Sequence, residues 1–255
     1  MSLVFASWNI NSIRQREALV SDWLERHQPD VLCLQEIKCE EHQFPAAFAE
    51  KGYQTAIVGQ KSYNGVAILS RHPMNVTHRR LPGFGHEAAR YVEAEIQGII
   101  FGNLYLPNGN SGGETGYDIK LDFFDALTRH ARAMLAAERD FVLLGDYNVC
   151  PTTDDHAPGA LSPTDSLVRP ESRAAWRKLV WSGLTDAQRV VQPQGRAFTF
   201  WDYQGMAFQR DSGLRIDHAL LSPRLAERLE TVQPDREERA KNQPSDHVPL
   251  IVRLQ

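Results

Sequence analysis

Two short runs hold side chains that could do chemistry together. Gly145-Asp146-Tyr147-Asn148 directly follows the apolar stretch Phe141–Leu144, and Ser245-Asp246-His247 lies near the C-terminus. Asp146 and Asn148 alternate with Tyr147, so an extended segment puts both on one face. A histidine beside an aspartate, with a further carboxylate elsewhere in the chain, suits an oriented imidazole. One ring nitrogen binds an acid and the other is left to face a substrate. No nucleophile elbow accompanies them, so a serine triad is not the better reading. Attack by water on a phosphodiester, with a metal and hydrogen-bond donors stabilising the developing charge, fits these parts.

Other apolar runs end in the same kind of side chain. Leu3–Ile10 delivers Asn9 and Asn11, Val31–Gln35 leads to Glu36, Leu214-Arg215-Ile216 leads to Asp217, and a last strand is expected to open with Asp246 and His247. One carboxylate at a strand end is an ordinary turn residue. Several are harder to dismiss, because strand ends on one edge of a sheet converge. Oxygen donors without cysteine suit Mg²⁺ or Mn²⁺ better than zinc.

The elements that must position these groups follow from periodicity. Ile13, Leu19, Val20, Trp23 and Leu24 suit one helix face, with Asn11 and Ser12 as candidate N-caps. A short helix is expected over 44–50. Strands are expected at 53–58, 65–70, 74–79, 91–96 and 99–106, with short turns that favour antiparallel pairing. Residues 107–116 read as a loop. The longest helical pattern spans 118–138, another helix covers about 172–181, and strands follow at 198–201, 214–221 and 247–254. Alternating strands and helices point to sheets covered by helices in one domain, residues 1–255.

Composition bounds the class without naming it. The 255 residues are 42% hydrophobic and 24% charged, ordinary for a globular protein. The net charge of −4 argues mildly against binding nucleic acid by bulk electrostatics. A nuclease remains compatible, since carboxylates gathered at a metal offset a basic surface elsewhere. Cys33, Cys39 and Cys150 fit no zinc spacing and read as reduced core residues. The start, MSLVFASWNI, has no basic n-region and reads as a first strand. No apolar stretch approaches the ~20 residues of a membrane span. A cytoplasmic monomer that binds no membrane is expected.

Further motifs appear in order along the chain. They are Trp8-Asn9-Ile10-Asn11, Leu34-Gln35-Glu36-Ile37-Lys38, Tyr63-Asn64-Gly65-Val66-Ala67, Leu104-Tyr105-Leu106-Pro107-Asn108, Phe198-Thr199-Phe200-Trp201-Asp202-Tyr203 and Gly213-Leu214-Arg215-Ile216-Asp217. With the two opening runs they cover nearly the whole chain, and together they are very specific. On these residues the chain resembles the exonuclease III family of AP endonucleases, within the endonuclease/exonuclease/phosphatase superfamily.

The resemblance implies a four-layer α/β sandwich of the DNase I-like kind, two packed mixed β-sheets flanked by helices. It implies a metal set of Asn9, Glu36, Asp146, Asn148, Asp246 and His247, with Glu36 central. Asp146 would position or deprotonate the attacking water, and Asn148 would hold that water or a phosphate oxygen. His247, oriented by Asp217, would contact the scissile phosphate, and Tyr105 would hydrogen-bond the phosphate or assist the leaving group. The resemblance leaves open whether Asp146 or His247 takes the proton.

Phe200, Leu214 and Ile216 match an apolar pocket for a flipped-out abasic sugar, which has no stacking to lose. Asn11, Asn108 and Arg90 complete the substrate set, with Arg90 expected to be an exposed side chain. The implied activity is Mg²⁺-dependent hydrolysis, with Mn²⁺ as substitute, of the phosphodiester 5′ of abasic sites in double-stranded DNA. Blocked 3′ ends would also be substrates, through 3′-phosphodiesterase, 3′-phosphatase and 3′→5′ exonuclease activity. The rival readings are a non-catalytic nucleic-acid-binding relative, which should have lost several of these polar residues, and a superfamily phosphatase acting on phosphoinositides, which should differ around Phe200 and Asp217. Two departures stand out: Asn11-Ser12 after the first motif, and a 150–170 region without family landmarks.

Overall fold

The computed structural model describes residues 2–255. The first sheet takes β1 (Leu3–Asn9), β2 (Val31–Gln35), β3 (Gln54–Val58) and β4 (Val66–Ser70) from the first part of the chain. The second takes β5 (Met74–His78), β6 (Tyr91–Ile96), β7 (Ile99–Tyr105), β8 (Phe141–Asp146), the short β9 (Thr185–Asp186) and β10 (Asp217–Leu221). The chain then returns to the first sheet with β11 (Leu229–Pro234) and β12 (Leu250–Leu254). Strand order is β11-β12-β1-β2-β4-β3 in one sheet and β5-β6-β7-β8-β10-β9 in the other.

Alternation of side chains along these strands builds the layers. The inward set of the first sheet (Leu3, Phe5, Val31, Cys33, Val66, Ile68) packs on the inward set of the second (Val92, Ala94, Phe101, Val142, Leu144, Ala219). The outward set of the first sheet, Trp8, Leu32 and Leu34, meets Val20, Trp23 and Leu24 of α1 (Ile13–His27) and Phe48 of α2 (Ala47–Glu50). The outward set of the second, Ile100, Leu104 and Leu143, meets α3 (Gly113–Ala136) and α4 (Pro170–Val180) through Phe123, Leu127, Trp176 and Leu179. Two short helices, α5 (Ala187–Val191) and α6 (Pro223–Glu227), flank β9 and β10. The result is the expected four-layer α/β sandwich with two mixed sheets. Among the described residues no helix is long and apolar enough to cross a membrane.

Strand direction places the site. Each sheet has one parallel pair, β1–β2 and β7–β8. Parallel neighbours end on the same edge, so Asn9 and Gln35 finish side by side, as do Tyr105 and Asp146. Strand β10 runs antiparallel to β8 with Asp217 opposite Asp146, so it starts where β8 stops. Strand β12 runs antiparallel to β1, which brings 245–247 to the end of β1. Below this rim a buried polar tier ties the sheets together. Gln35 Nε2 donates to Ser7 Oγ (3.0 Å) and Asn103 Oδ1 (2.8 Å), and Asn103 Nδ2 donates to the carbonyls of Leu34 and Ala67.

Several expectations need correction. Asp246 and His247 lie in the loop before β12, and 198–201 forms only single bridges from Phe200 to Leu214 and His247. Helix α3 starts at Gly113, inside the expected loop, and the 44–50 helix shrinks to α2 after a 3-10 turn at Glu41–Gln43. Strand β11 gave no periodic signal because it is an edge strand that buries only Val232. Ser12 precedes α1 with φ 87° and no capping side-chain bond; Asn11 turns its amide to the site instead.

Candidate active site

The site is built on the rim where the strand ends meet. Asn9 Nδ2 donates to Glu36 Oε1 and to Asp146 Oδ2, each at 3.0 Å, so one amide joins the two sheets at their carboxylates. Its oxygen accepts from the Asn11 N–H (3.1 Å). Asn9 thus spans the two acids through its amide, with its oxygen turned to the Asn11 backbone. Asn11 donates to Asp246 Oδ1 (3.1 Å) and accepts from Lys38 Nζ (2.6 Å), which also lies 2.8 Å from Glu36 Oε2.

The turns that present these groups are strained. Asn11, Glu36, Lys38 and Asn148 have φ of 47°, 50°, 53° and 47°, the left-handed region that side chains avoid. Each such residue costs about 1–3 kcal/mol, and such strain collects at functional sites. The expected same-face alternation of Asp146 and Asn148 fails here, because Asn148 has left the strand. It instead donates its backbone N–H to Asp146 Oδ1 (2.9 Å). Gly145 is required for a different reason: a Cβ there would sit 1.9 Å from the Leu104 carbonyl oxygen. A side chain would push β8 off β7 and carry Asp146 with it.

His247 is held from every side. Its carbonyl accepts from Trp8 Nε1 (3.2 Å), its N–H donates to Ser245 Oγ, and Ser245 Oγ donates to the Asn9 carbonyl (2.7 Å). Its Nδ1 meets Asp217 Oδ2 at 2.8 Å, and its Nε2 points toward Asp146 Oδ2 at 3.8 Å. Burial alone would lower the imidazole, but the Asp217 carboxylate, with Asp146 and Asp246 behind it, pushes it up to about 10. With Nδ1 committed to Asp217, Nε2 is the ring nitrogen left to face the site. Asp146 is also pushed up: burial, against the pull of His247, lifts its carboxyl to about 7.

The second wall faces the loops after β7 and β8. Asn108 Nδ2 donates to Asn148 Oδ1 and Asn148 Nδ2 to the Leu106 carbonyl, both at 2.9 Å. Tyr105 stands beside Glu36 and Asp146; burial first, then those two carboxylates, holds its phenol neutral. Arg90, expected to be solvated, is partly buried. Its NH1 donates to the Tyr105 carbonyl (3.1 Å) and its guanidinium lies 4.6 Å over the Tyr105 ring. Phe200 packs its ring 5.0 Å from that of His247, and with Leu214 it lines a cavity of about 300 Å³. Ile216 packs behind them with Cys150 and Leu167.

Three residues escaped the sequence reading. Lys38 bridges Glu36 and Asn11. Thr199 Oγ1 accepts the N–H groups of Ile216 and Asp217, both at 3.2 Å. Lys120 is fully buried and donates to the carbonyls of Asn108 (2.9 Å) and Asn148 (2.6 Å). A lysine in phase with Tyr117, Phe124 and Leu127 on the buried face of α3 was the available signal. The 150–170 region also has an anchor. Asp155, buried, pairs with Arg189 and with Arg215 Nε (2.6 Å), and Arg215 reaches Asp186 (3.0 Å).

Glu36 and the Asn11 side-chain oxygen already attract the Lys38 ammonium, and Asp246 adjoins them through the Asn11 amide. This donor set fits Mg²⁺ or Mn²⁺ and lacks the sulfur and free imidazole that favour zinc.

The Endonuclease/Exonuclease/phosphatase family model matches residues 6–247. Exodeoxyribonuclease III of Haemophilus influenzae is 33% identical over 260 residues, covering 96% of this chain and 97% of its own. The 3′ phosphatase NExo from Neisseria, solved with a product DNA hairpin, superposes with a TM-score of 0.95 at 36% identity, covering 99% of both chains. An AP endonuclease from Archaeoglobus fulgidus gives a TM-score of 0.92 at 34% identity over 98% of both chains. These likenesses span every element that builds the rim. The chain belongs to the Endonuclease/Exonuclease/phosphatase family, in its exonuclease III and AP endonuclease branch.

Proposed function

We propose that this protein is a Mg²⁺-dependent DNA-repair phosphodiesterase that cuts 5′ of an abasic site in duplex DNA and trims blocked 3′ ends. The observation that carries this reading is Phe200, whose ring packs 5.0 Å from that of His247 and which, with Leu214, lines one side of a neighbouring cavity. A phosphate held at His247 would place its neighbouring sugar there. A deoxyribose without its base fits such a wall, and extruding it breaks no stacking. The relatives support both activities, since one is named an AP endonuclease and another a 3′ phosphatase.

The residues divide the work. Asp146, lifted by burial, accepts the proton of the attacking water. Asn148 and Asn108, locked to each other, orient that water and a non-bridging phosphate oxygen. The His247 imidazolium, fixed by Asp217, places a positive charge and an N–H donor where charge develops. Tyr105, kept neutral, offers its O–H to the leaving oxygen. Glu36 and Asp246 would hold the Mg²⁺, with Asn9 keeping Glu36 and Asp146 apart. When bound, the ion polarises the phosphate and offsets its developing charge.

The test is incision of a duplex carrying one abasic analogue, with Mg²⁺ and with EDTA. A parallel arm offers a 3′-phosphorylated nick, and another a soluble inositol phosphate. Expected are Mg²⁺-dependent cutting 5′ of the lesion, release of the 3′-phosphate and no action on the inositol. Folded, metal-loaded protein that spares the abasic duplex sinks the proposal; phosphate release from the inositol alone would favour a superfamily phosphatase.

A further inference from the structure

A second cluster of metal-competent side chains lies on the far side of the second sheet. Glu93 of β6 points outward with Tyr91, under α3, whereas Asp146 and Tyr105 point inward toward the other sheet. The sheet itself separates the two places. His78, at the end of β5, brings Nδ1 to 2.9 Å from Glu93 Oε1, and His130 of α3 brings Nε2 to 2.6 Å from Glu93 Oε2. We propose that His78, Glu93 and His130 form a second divalent-cation site, one that takes Zn²⁺ through two imidazole nitrogens and one carboxylate, with water in the fourth position.

Geometry supports the set. The three ligand atoms lie within 4.8 Å of one another. The imidazoles are edge to face, with ring centroids 5.4 Å apart and planes at 75°, so both nitrogens aim inward without stacking. Tetrahedral zinc with bonds of about 2.0–2.2 Å needs donors roughly 3.3–3.5 Å apart, so closure asks for small movements. His78 can supply them. It sits on an edge strand just after a register shift, and its side chain is 43% exposed. A cavity of about 260 Å³, bounded by Met134, Ala137 and Arg139, opens beside the three and leaves room for a bound water.

Charge points the same way. Glu93 is 2% exposed, yet among the described residues its only ion-pair partners are the two histidines. Among the described residues no lysine or arginine pairs with it; the nearby Arg139 is paired with Glu95. A divalent ion held by the three would supply a counter-ion directly to the buried carboxylate. Around the carboxylate, Tyr91 donates to Oε2 and Thr77 to Oε1, both at 2.6 Å. Such outer donors fix a ligating carboxylate in orientation, as metal sites require.

The donor chemistry separates this site from the catalytic rim. Two imidazoles and one carboxylate with an open position match zinc, while the oxygen corner at Glu36 matches Mg²⁺. An ion here would clip β5, β6 and α3 together. Helix α3 also carries Lys120, which holds the Asn108 and Asn148 loops, so the clip would brace that wall of the rim.

The experiment uses the full chain, stripped of metal, with excess Mg²⁺ present to fill the rim. Co²⁺ is titrated as a spectroscopic substitute and Zn²⁺ for thermal stability. Expected for the native protein is one equivalent of Co²⁺ with the intense visible bands of four-coordination, and a Zn²⁺-dependent rise in melting temperature. His130→Gln and, separately, the exposed His78→Gln should weaken binding by at least about 100-fold, because even an outer partner is worth 10- to 100-fold. Both should retain Mg²⁺-supported turnover, which reports an intact fold. Native protein that takes up no Co²⁺ under Mg²⁺, or a His78→Gln protein that binds it as tightly as the native chain, overturns the proposal.

Discussion

Asp217 Oδ2 lies 2.8 Å from His247 Nδ1, and its other oxygen, Oδ1, is buried with no hydrogen-bond partner. Asp217 thus anchors the ring through one oxygen, and its carboxylate acts on Asp146 as well as on His247.

Asp217→Asn should keep the shape and remove that charge. Turnover on an abasic duplex should fall by about 10³- to 10⁴-fold, by analogy with aspartates that orient a catalytic histidine. Titration of the His247 ring by NMR should show its pKa dropping from about 10. Turnover near the native level, with an unmoved titration, would make Asp217 a structural residue.

The two shifted groups set a pH profile. Asp146 must be deprotonated to accept a proton, so kcat/KM should rise with pH up to about 7. His247 must be protonated to serve as the cation, so activity should decline above about 10. In the Asp217→Asn protein the alkaline limb should move to lower pH while the acid limb moves less. A native profile that falls at pH 8, with no loss of folding, contradicts His247 as the cation.

Lys120 separates activity from stability. Burial pulls its ammonium down to about 7, so holding the charge there is unfavourable, yet its Nζ supports two carbonyls of the site wall. Lys120→Met should leave the melting temperature nearly unchanged, since lost hydrogen bonds offset relieved charge burial. Turnover should fall about 100-fold, the usual order when a catalytic group is misplaced by an ångström. Thermal denaturation and single-turnover kinetics on one preparation test both halves.

His218 predicts acid sensitivity. Burial, then the Arg215 charge, pulls the ring from its ordinary 6.5 down to about 4, and its Nδ1 has no partner to receive an added proton's N–H. The folded state therefore prefers the neutral ring. Its contribution is fully present above about 6.5 and is lost as pH falls toward 4, amounting to about 3 kcal/mol. Urea unfolding at stepped pH should show this slope, and His218→Gln should flatten it even if it lowers stability throughout.

The residue pattern alone pointed to sheets covered by helices, and the family resemblance to the four-layer sandwich and the candidate site residues. Buried strands announce themselves as apolar runs, and the polar residues that end them (Asn9, Glu36, Asp146, Asp217) stand out by contrast. Tertiary structure decided what local pattern cannot encode. Whether Asn9 offers its oxygen or its amide depended on two carboxylates from different sheets. The charge on His247 depended on Asp146 and Asp217, both far from it in the chain, besides its neighbour Asp246. Lys120 escaped notice because its partners, the carbonyls of Asn108 and Asn148, are backbone atoms without a sequence signature. The His78–Glu93–His130 cluster joins two strands and a helix, so no spacing along the chain foretold it. Residue type is written in the sequence, but the partner that sets each residue's charge and direction is chosen by the packing of two sheets.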